Sequence, residues 1–552
     1  MFRVEEQRAT LWVSTYGYRS AQGSDLSIQS YMMFLVLSAA ASLFIFVRAR
    51  NRNAAERCVA ALLPVALLQA IVGVTNRIHE SPFIKWNEAR IAPSMGLRLG
   101  YPLYPGPDGI ITGHAYGPIT ALAYLPATLA PNPTLILLFG SITSLLLTCA
   151  PVVWLLFRTQ KDKSAAAPMA KYVLLLLFLF FSLFNDALAY SMYNIHADAP
   201  SLGFGALACC VLLSDSIRQQ FVKFGLVALF ASLAVWSKQN LAPLFIALPI
   251  YMVLIRDWKT GFVLAAYMGA GVLLLSAVMV YFFGPFSNLY YYMFELSAHV
   301  PRFLNSVADV CGPLLAMVEM AAIPMAVCIF VTLQDAASDA AWSVRRFLAG
   351  REATVFLLAA CFNFPTSFVG IAKAGGDVNS HSFFVYYLAV AALIYIKNEL
   401  DSLTVATLPV QFEIAMPVAL FLCCANQATR SFVDLRDQPD LYQNNSQLAY
   451  EYAKSHPHDA FFPWDPLVGL LADGRYYHFE HGVYDRFLAQ KQLTEEEYLK
   501  GVPDSFNYII FPERRPIDPT PSLFYLKEYS KEMGSAKYPG WHIYMRPTPA
   551  KP

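Results

Sequence analysis

The sequence carries little charge and none of the sharp motifs of nucleotide-dependent or zinc enzymes. Only 14% of its 552 residues are Asp, Glu, Lys or Arg, whereas soluble domains carry about 25%. A net charge of +1 leaves no basic surface for nucleic acid. A Walker loop, a dinucleotide fingerprint, zinc-ligand spacings and Gly-x-Ser-x-Gly are all missing. These absences argue against a nucleic-acid-binding protein and against a nucleotide-binding or zinc enzyme.

The nine cysteines follow no spacing typical of a metal site or a disulfide framework. All lie in or beside apolar segments, and the polar tail 431–552 has none. We interpret them as small apolar side chains. The sequence therefore predicts no metal ligands and no firm cofactor, although a divalent cation stays open at Asp198 and Asp377.

Long apolar runs are what the sequence has in abundance. Hydrophobic residues make up 56% of the chain, and its mean hydropathy is +0.42. A bilayer crossing needs about 20 helical residues, and windows of that kind recur from residue 29 to residue 425. They lie near 29–48, 57–75, 134–157, 171–190, 198–214, 222–236, 240–256, 260–283, 312–333, 353–372, 381–397 and 405–425. The pattern predicts an all-α polytopic membrane bundle of about 11–13 transmembrane helices.

The chain divides into an N-terminal segment, a membrane part and a polar tail, with boundaries at 1–28, 29–428 and 429–552. The membrane part has a long first outer loop, 76–133. In the tail, DAFFPW, RYYHFE, FNYIIFP and WHIYMRP are typical of strands, and 438–455, 482–499 and 521–533 are typical of helices. About 120 residues suit one small α/β domain.

Aromatic residues are frequent in this tail and lie among acidic and basic ones. They are Phe461, Phe462, Trp464, Tyr476, Tyr477, Phe479 and Tyr484, with Asp465, Asp473, Arg475, Glu480 and Asp485 between them. Either these rings form an ordinary hydrophobic core, or some of them bind sugar.

Lysine and arginine are unequally divided between the two alternating sets of loops. Sixteen fall in one set and seven in the other, and the richer set is expected on the cytoplasmic side. All ten histidines fall in the poorer set or the tail. We therefore expect the loop 76–133, the loop 284–311 and the tail to face outward, in a bacterial inner membrane toward the periplasm.

The first outer loop contains the preferred candidate for a catalytic carboxylate. WNEARIAPSMGLRL favours a surface helix that ends near Pro93, and Glu88 lies at its start. The same loop adds Arg90, Asp108, His114 and Tyr116. The alternative is an ordered interfacial loop with salt bridges.

A His-x-Asp pair, His196 and Asp198, lies at the outer mouth of a predicted span. We expect this pair to face the same region as Glu88. Because Asp198 precedes Ala-Pro, it could instead cap the helix that follows.

Lys238 lies between two half-length apolar runs, in Ser237-Lys238-Gln239-Asn240. A lysine at membrane depth usually has an anionic partner or a wet cavity. It is a candidate for binding phosphate, and the alternative is that it snorkels to the interface.

Four different polar side chains are packed into one short outer turn, Ile371 to Phe384. They are Lys373, Asp377, Asn379 and His381. A tight hairpin between two spans would need fewer of them, so we expect a binding role.

Taken together, these motifs resemble the C-type (GT-C) integral membrane glycosyltransferases, which include protein O-mannosyltransferases and lipid A aminoarabinose transferases. The resemblance lies in Asn87-Glu88, in Gly100-Tyr101-Pro102-Leu103-Tyr104, in Tyr116-Gly117-Pro118, and in the segments around 196–198, 237–239 and 375–379. Asn87 replaces the usual first Asp of the family's acidic pair. The resemblance implies inverting transfer of a sugar from a polyprenyl phosphate, with Glu88 as general base.

The implied chemistry has two requirements. A carboxylate takes the proton of an acceptor hydroxyl, and cationic groups stabilise the leaving phosphate. The acceptor is a glycan, lipid or protein at the bilayer surface. Two alternatives remain, a transporter or flippase of lipid-linked glycans and a glycan ligase or polymerase.

Overall fold

The computed structural model describes most of the chain but not all of it. The described residues are 25–49, 54–84, 86–106, 109–158, 168–338, 343, 348, 352–402, 410–436, 441–478, 480–491, 493–499, 501–502, 506–512, 529, 531–533, 538 and 540–547. Predictions for the segment 1–24, for Asp108, for Phe479 and for 521–528 lie outside them.

Helices make up the regular structure of the described residues before 437. They are α1 (Asp25–Arg48), α2 (Ala54–Glu80), α3 (Asn87–Arg98), α4 (Pro118–Tyr124), α5 (Pro133–Phe157), α6 (Pro168–Phe184), α7 (Asp186–Tyr193), α8 (Asp198–Leu213), α9 (Gln220–Ser237), α10 (Leu244–Ile255), α11 (Trp258–Phe283), α12 (Phe286–Tyr290), α13 (Leu296–His299), α14 (Val307–Ser338), α15 (Thr354–Ile371), α16 (Ser382–Ser402) and α17 (Val410–Arg436).

Eight helices among the described residues are long and apolar enough to cross a bilayer, or nine if one pair of helices separated by a break counts as a single span. This confirms the polytopic helical bundle. The number is below the expected twelve, partly because α8 and α10 have only 16 and 12 residues, less than the roughly 20 that a crossing requires.

The described residues within 1–84, 159–184 and 399–444 form one compact unit. Within it α2 packs against α1, α6 and α17. The buried amide of Gln69 donates to the hydroxyl of Tyr31 over 2.9 Å, and Arg77 donates to the carbonyl of Leu183 over 3.2 Å. These polar contacts fix the relative position of helices whose apolar surfaces alone would not specify it.

Residues 85–158, 185–398 and 445–552 form the second unit. Here α9 packs against α8 and α11, and α8 packs against α5. The segment Val378–Asn398, which contains most of α16, is almost entirely buried. Its Tyr386 hydroxyl donates to the carbonyl of Thr148 over 2.7 Å, which satisfies a polar group that would be costly to bury alone.

Helix α3 runs through Pro93, although the sequence predicted that it would end there. A proline inside a helix costs about 3 kcal/mol because it removes one backbone hydrogen bond. Nine of the 12 residues of α3 are buried, among them Ile91, Ala92 and Met95. Burial of about 1.5–3 kcal/mol for each large side chain offsets that cost.

The tail forms a small α/β domain, as predicted. Its helices are α18 (Asn445–Ser455), α19 (Pro466–Ala472), α20 (Glu480–Leu488) and α21 (Glu495–Leu499), and its strands are β1 (Ala460–Phe461), β2 (Tyr508–Phe511), β3 (Lys531–Met533) and β4 (His542–Met545). The sheet order is β1-β2-β4-β3. The β1–β2 pair is parallel, and the other two pairs are antiparallel.

Two local predictions for the tail were wrong. Residues 475–478 have no regular structure instead of forming a strand, because they cross from α19 to α20. Residues 531–533 are strand β3 instead of helix, because they pair with β4. The rings of Phe461, Phe462 and Trp464 are buried in two core clusters, so the core interpretation holds for them.

Candidate functional site

Asp198 is the centre of a buried polar cluster in the second unit. Its side chain is inaccessible to solvent. Oδ1 lies 2.5 Å from Nζ of Lys238. Oδ2 lies 2.7 Å from Nδ1 of His196 and accepts from Asn379 over 2.7 Å and Ser191 over 3.2 Å. Asp198 is the first residue of α8, but its carboxylate bonds to side chains and does not cap the helix.

His196 extends the cluster to the first loop. Its Nε2 lies 2.9 Å from the hydroxyl of Tyr116. Burial lowers the pKa of His196 to about 3, so the ring is neutral at pH 7. A neutral imidazole has one donor and one acceptor. We assign the proton to Nδ1, because the Asp198 carboxylate faces it; Nε2 then accepts from Tyr116.

Lys238 does not snorkel to an interface. It is 9% exposed, it is paired with Asp198, and its Nζ lies 5.1 Å from the ring centre of Phe383 and 5.6 Å from that of Tyr116. It follows the last residue of α9, where the helix stops and a short 3₁₀ turn begins. The helix break thus places an ammonium group beside the buried carboxylate.

A close backbone approach holds the Tyr116 segment against this helix end. The amide of Gly117 donates to the carbonyl of Ser237 over 3.3 Å, and the Thr120 hydroxyl donates to the same carbonyl over 2.9 Å. A Cβ on Gly117 would collide with the carbonyl oxygen of Trp236. Only glycine permits this contact, which explains the Tyr-Gly-Pro sequence at 116–118.

Arg90 lies at the edge of the cluster with donors to spare. Its Nη2 donates to the hydroxyl of Tyr190 over 2.6 Å, and the Tyr190 ring lies 6.1 Å from that of His196. Nε and Nη1 of Arg90 are shielded from solvent and have no hydrogen-bond partner among the described residues. Unpaired guanidinium N–H groups are donors that suit a phosphate or carboxylate.

Asn379 and Asp377, in the outer turn after α15, have different roles. Asn379 reaches Asp198, whereas the exposed Asp377 accepts from the amide of Val378 over 2.7 Å and starts a 3₁₀ turn. His381 is buried, and its Nδ1 has no hydrogen-bond partner in the described part of the chain. The structure therefore joins Asn379 to the cluster and gives Asp377 a local capping role.

Lys373 is held by pairing of its segment with residues 301–303. The amide of Phe303 donates to the carbonyl of Ala372 over 2.6 Å, and that of Ala374 donates to Pro301 over 2.8 Å. Burial lowers the pKa of Lys373, helped by the charges of Lys238 and Arg302. These interactions place a second cation near Asp198 and Lys238.

His114 lies in the loop before α4, beside two tyrosines. Its ring centre is 5.6 Å from that of Tyr104 and 6.3 Å from that of Tyr116. Burial lowers the pKa of His114 to about 4, and its Nε2 has no hydrogen-bond partner among the residues described. A neutral ring at this point packs with the tyrosines and adds no charge to the cluster.

Glu88 is buried, with 3% exposure, in the first turn of α3. Successive helical residues differ by about 100° around the axis, so Glu88 and Arg90 point about 160° apart. Asn87 and Arg90 face the end of α7, through Asn194 and Tyr190. Helix geometry therefore does not favour Glu88 as a member of the Asp198 cluster, and its role as base stays a prediction.

Several residues of the site had not been identified from sequence. Ser191 and Tyr190 belong to an apolar helix whose composition indicates only a span. Asp485 of the tail acts electrostatically on Tyr116 and Lys373, yet it was one of several acidic residues among aromatic ones. No local pattern identifies such partners.

A metal site is not formed within the described ranges, where no group of three His, Cys, Asp or Glu side chains could hold an ion. The charge of Asp198 is already balanced by Lys238. Asp377 has its carboxylate on a backbone amide. These two residues therefore do not fit the divalent cation that the sequence left open.

The sequence matches no protein-family model and no curated protein. The structure is similar to that of an oligosaccharyltransferase from Archaeoglobus fulgidus in its apo form. The two share 12% sequence identity, the match covers 82% of this chain and 69% of that one, and the TM-score is 0.40. Likeness at this level does not establish a function, which depends on the residues of the site.

Proposed function

We propose that this chain is a membrane glycosyltransferase that moves a sugar from a polyprenyl phosphate to a glycan, lipid or protein acceptor, with inversion, at the periplasmic face of a bacterial inner membrane. One observation carries the proposal. The guanidinium of Arg90 keeps two shielded nitrogens without a hydrogen-bond partner among the described residues, beside a buried Asp198–Lys238–His196 cluster. The same described residues include eight helices long and apolar enough to cross a membrane.

An anionic ligand is what this arrangement suits. Leaving a buried donor unpaired costs about 1–3 kcal/mol, and more for a charged group. A phosphate oxygen accepting from Nε, or another accepting from Nη1, would remove that cost for the nitrogen that it bonds. Lys373 supplies a second positive charge nearby. Because Lys238 is already paired with Asp198, Arg90 is better placed than Lys238 to receive the phosphate.

The donor is expected to be lipid-borne because nucleotide sugars are not supplied outside the cytoplasm. A polyprenyl chain partitions among apolar helices, and its phosphate stays at the interface. In the reaction the bond between the anomeric carbon and the phosphate oxygen breaks, and the electron pair leaves with the phosphate. Arg90 and Lys373 would stabilise that leaving group.

The Asp198 cluster then has a positioning role. Four partners occupy its carboxylate, which leaves little capacity to accept a proton. Through His196 it holds the hydroxyl of Tyr116, and it holds the amide of Asn379 directly. These two groups are suited to orient sugar hydroxyls next to the phosphate.

A transporter of lipid-linked glycans is the second candidate. Helix α9 stops at Ser237, and α7 and α8 are separated at residues 194–197. Charged groups at interrupted helices are typical of transporter sites. In sealed vesicles a transferase produces a new covalent glycoside, whereas a transporter only moves an unchanged lipid across the membrane.

The test uses Arg90→Gln with Arg98→Gln as its matched control on the same helix. Arg98 donates to the carbonyl of Thr128 and is not part of the site. Binding of a fluorescent polyprenyl phosphate should weaken by about 10–100-fold in Arg90→Gln, since bonds to charged groups contribute about 1.5–3 kcal/mol.

Arg98→Gln should bind the probe within about threefold of wild type, because an effect of that size is under 1 kcal/mol. Equal weakening in both variants, or none in either, would refute phosphate binding at Arg90. Wild-type protein that makes no glycoside from any polyprenyl-phosphate hexose or pentose would refute the transferase itself.

A further inference from the structure

Helix α20 of the tail domain is locked onto the loop that carries His114 and Tyr116. A Cβ on Gly482 would collide with the carbonyl of Thr112, so this glycine permits direct backbone contact. The amide of Ile111 donates to Nδ1 of His478 over 2.6 Å. Arg486 donates to the hydroxyl of Tyr292 over 3.1 Å. The tail helix therefore has a fixed position beside the proposed site.

One face of α20 is directed at that site. His481, Asp485 and Leu488 are spaced four and three residues apart and share a face. The ring of His481 lies 5.2 Å from that of Trp86, and Cδ1 of Leu488 lies 3.1 Å from where a Cβ on Gly375 would be. Asp485 lies between these contacts, which reach the start of α3 at one end and the turn of Lys373 at the other.

The charged groups around Asp485 include Arg90 and Lys373, which are proposed to stabilise the phosphate. His481, Arg486, Lys373 and Arg90 all act on its carboxylate, and it acts in turn on Tyr116. His481 keeps an Nδ1 atom with no hydrogen-bond partner in the described part of the chain. Asp485 is thus a tail-domain carboxylate in the same electrostatic group as Arg90.

The chemistry of a general base fits Asp485 better than the other carboxylates. Burial raises the pKa of Asp485, against the opposing charges of His481 and Arg486, and a higher pKa makes a stronger base. The carboxylate of Asp198 is occupied by four partners. Glu88 points about 160° away from Arg90 on its helix.

We propose, on the basis of the proposed function, that Asp485 is the catalytic base. Its carboxylate takes the proton of the acceptor hydroxyl while the hydroxyl oxygen bonds to the anomeric carbon. The bond from that carbon to the phosphate oxygen breaks, and the phosphate keeps the electron pair beside Arg90. The products are a protonated Asp485, a new glycoside and a polyprenyl phosphate. The tail domain then belongs to the active site.

The experiment compares full-length wild type with Asp485→Asn and Asp485→Glu in lipid vesicles. Polyprenyl-phosphate hexoses and pentoses serve as donors, and membranes of a host lacking the protein serve as acceptor. General-base removal should lower kcat by about 10²–10⁴-fold, with binding of polyprenyl phosphate unchanged. Asp485→Glu should recover part of the rate. The rate of wild type should fall with decreasing pH as Asp485 is protonated. The residual activity of Asp485→Asn should not show this fall at low pH.

Asp473→Asn is the matched control, since Asp473 is a carboxylate of the same domain that accepts from Tyr477 over 3.3 Å. Activity of Asp485→Asn within a few-fold of wild type would overturn the proposal. So would a fall in the rate of Asp485→Asn at low pH equal to that of wild type. Equal losses in Asp485→Glu and Asp473→Asn would overturn it as well, because they would indicate a structural role. Inactive wild type would instead refute the transferase function.

Discussion

Replacing Asp198 by asparagine should destabilise this protein more than replacing Lys238 by methionine. Nζ of Lys238 lies 2.5 Å from Oδ1 of Asp198, and both side chains are buried. Removing one partner of a buried ion pair costs about 3–5 kcal/mol, because the other charge is left uncompensated. The structure indicates which end of that range applies to each variant.

Without Lys238, the Asp198 carboxylate still accepts from His196, Asn379 and Ser191. These donors continue to stabilise its charge, so we expect about 3 kcal/mol for Lys238→Met. Without the Asp198 charge, the ammonium has no ion-pair partner among the described residues and lies near the rings of Phe383 and Tyr116. We expect about 5 kcal/mol for Asp198→Asn.

The double variant removes both charges and should be more stable than Asp198→Asn alone. The single effects sum to about 8 kcal/mol and the double variant should lose less than about 5. The two changes should therefore be non-additive by about 3 kcal/mol or more. The measurement is denaturant unfolding of purified protein in detergent at pH 7, followed by tryptophan fluorescence, for wild type and the three variants. Effects that add within about 0.5 kcal/mol would refute a direct ion pair.

Three further predictions concern Glu88, Gly117 and His478. Glu88→Gln should keep kcat within a few-fold of wild type if Asp485 is the base, and loss of transfer with intact donor binding would instead restore Glu88 to that role. Gly117→Ala should lower the unfolding free energy by about 1–3 kcal/mol through overpacking against Trp236, whereas Gly106→Ala, with open space around it, should lower it little in the same denaturant assay. Burial lowers the pKa of His478 to about 4. The unfolded chain binds a proton near pH 6.5, so stability should fall between pH 6.5 and 4 by about 3 kcal/mol. His478→Gln should reduce that fall in the pH dependence of the unfolding midpoint.

Much of the site was visible in the sequence as separate segments. His196-x-Asp198, Lys238 and Asn379 were each singled out because polar side chains beside apolar spans are costly to bury alone. Polar contacts join these residues to Asp198, whereas Asp377, which was expected with them, accepts from the amide of Val378. The sequence predicted more long spans than the described residues show and an end near Pro93 that α3 does not have, because helix length and a proline inside a helix depend on packing with distant segments.

The individual partners could not be predicted from local pattern. Lys238 is 40 residues from Asp198 along the chain, and Asn379 is 181 residues from it. Asp377 looked as suitable as Asn379, but its carboxylate starts a turn. Glu88 was preferred from sequence, yet residues two apart on a helix point about 160° apart, so Glu88 and Arg90 leave α3 on nearly opposite sides.

Composition alone determined that the chain is a membrane protein, since few charges and repeated apolar runs permit no other solvent for its surface. Sequence also determined which polar side chains would have to be paired. Only the tertiary structure decided which carboxylate neutralises which cation, which guanidinium keeps free donors, and that a helix of the tail faces the same charges. The reason is geometric, because Coulombic and hydrogen-bond energies depend on distances of a few ångströms between atoms that the chain itself keeps far apart.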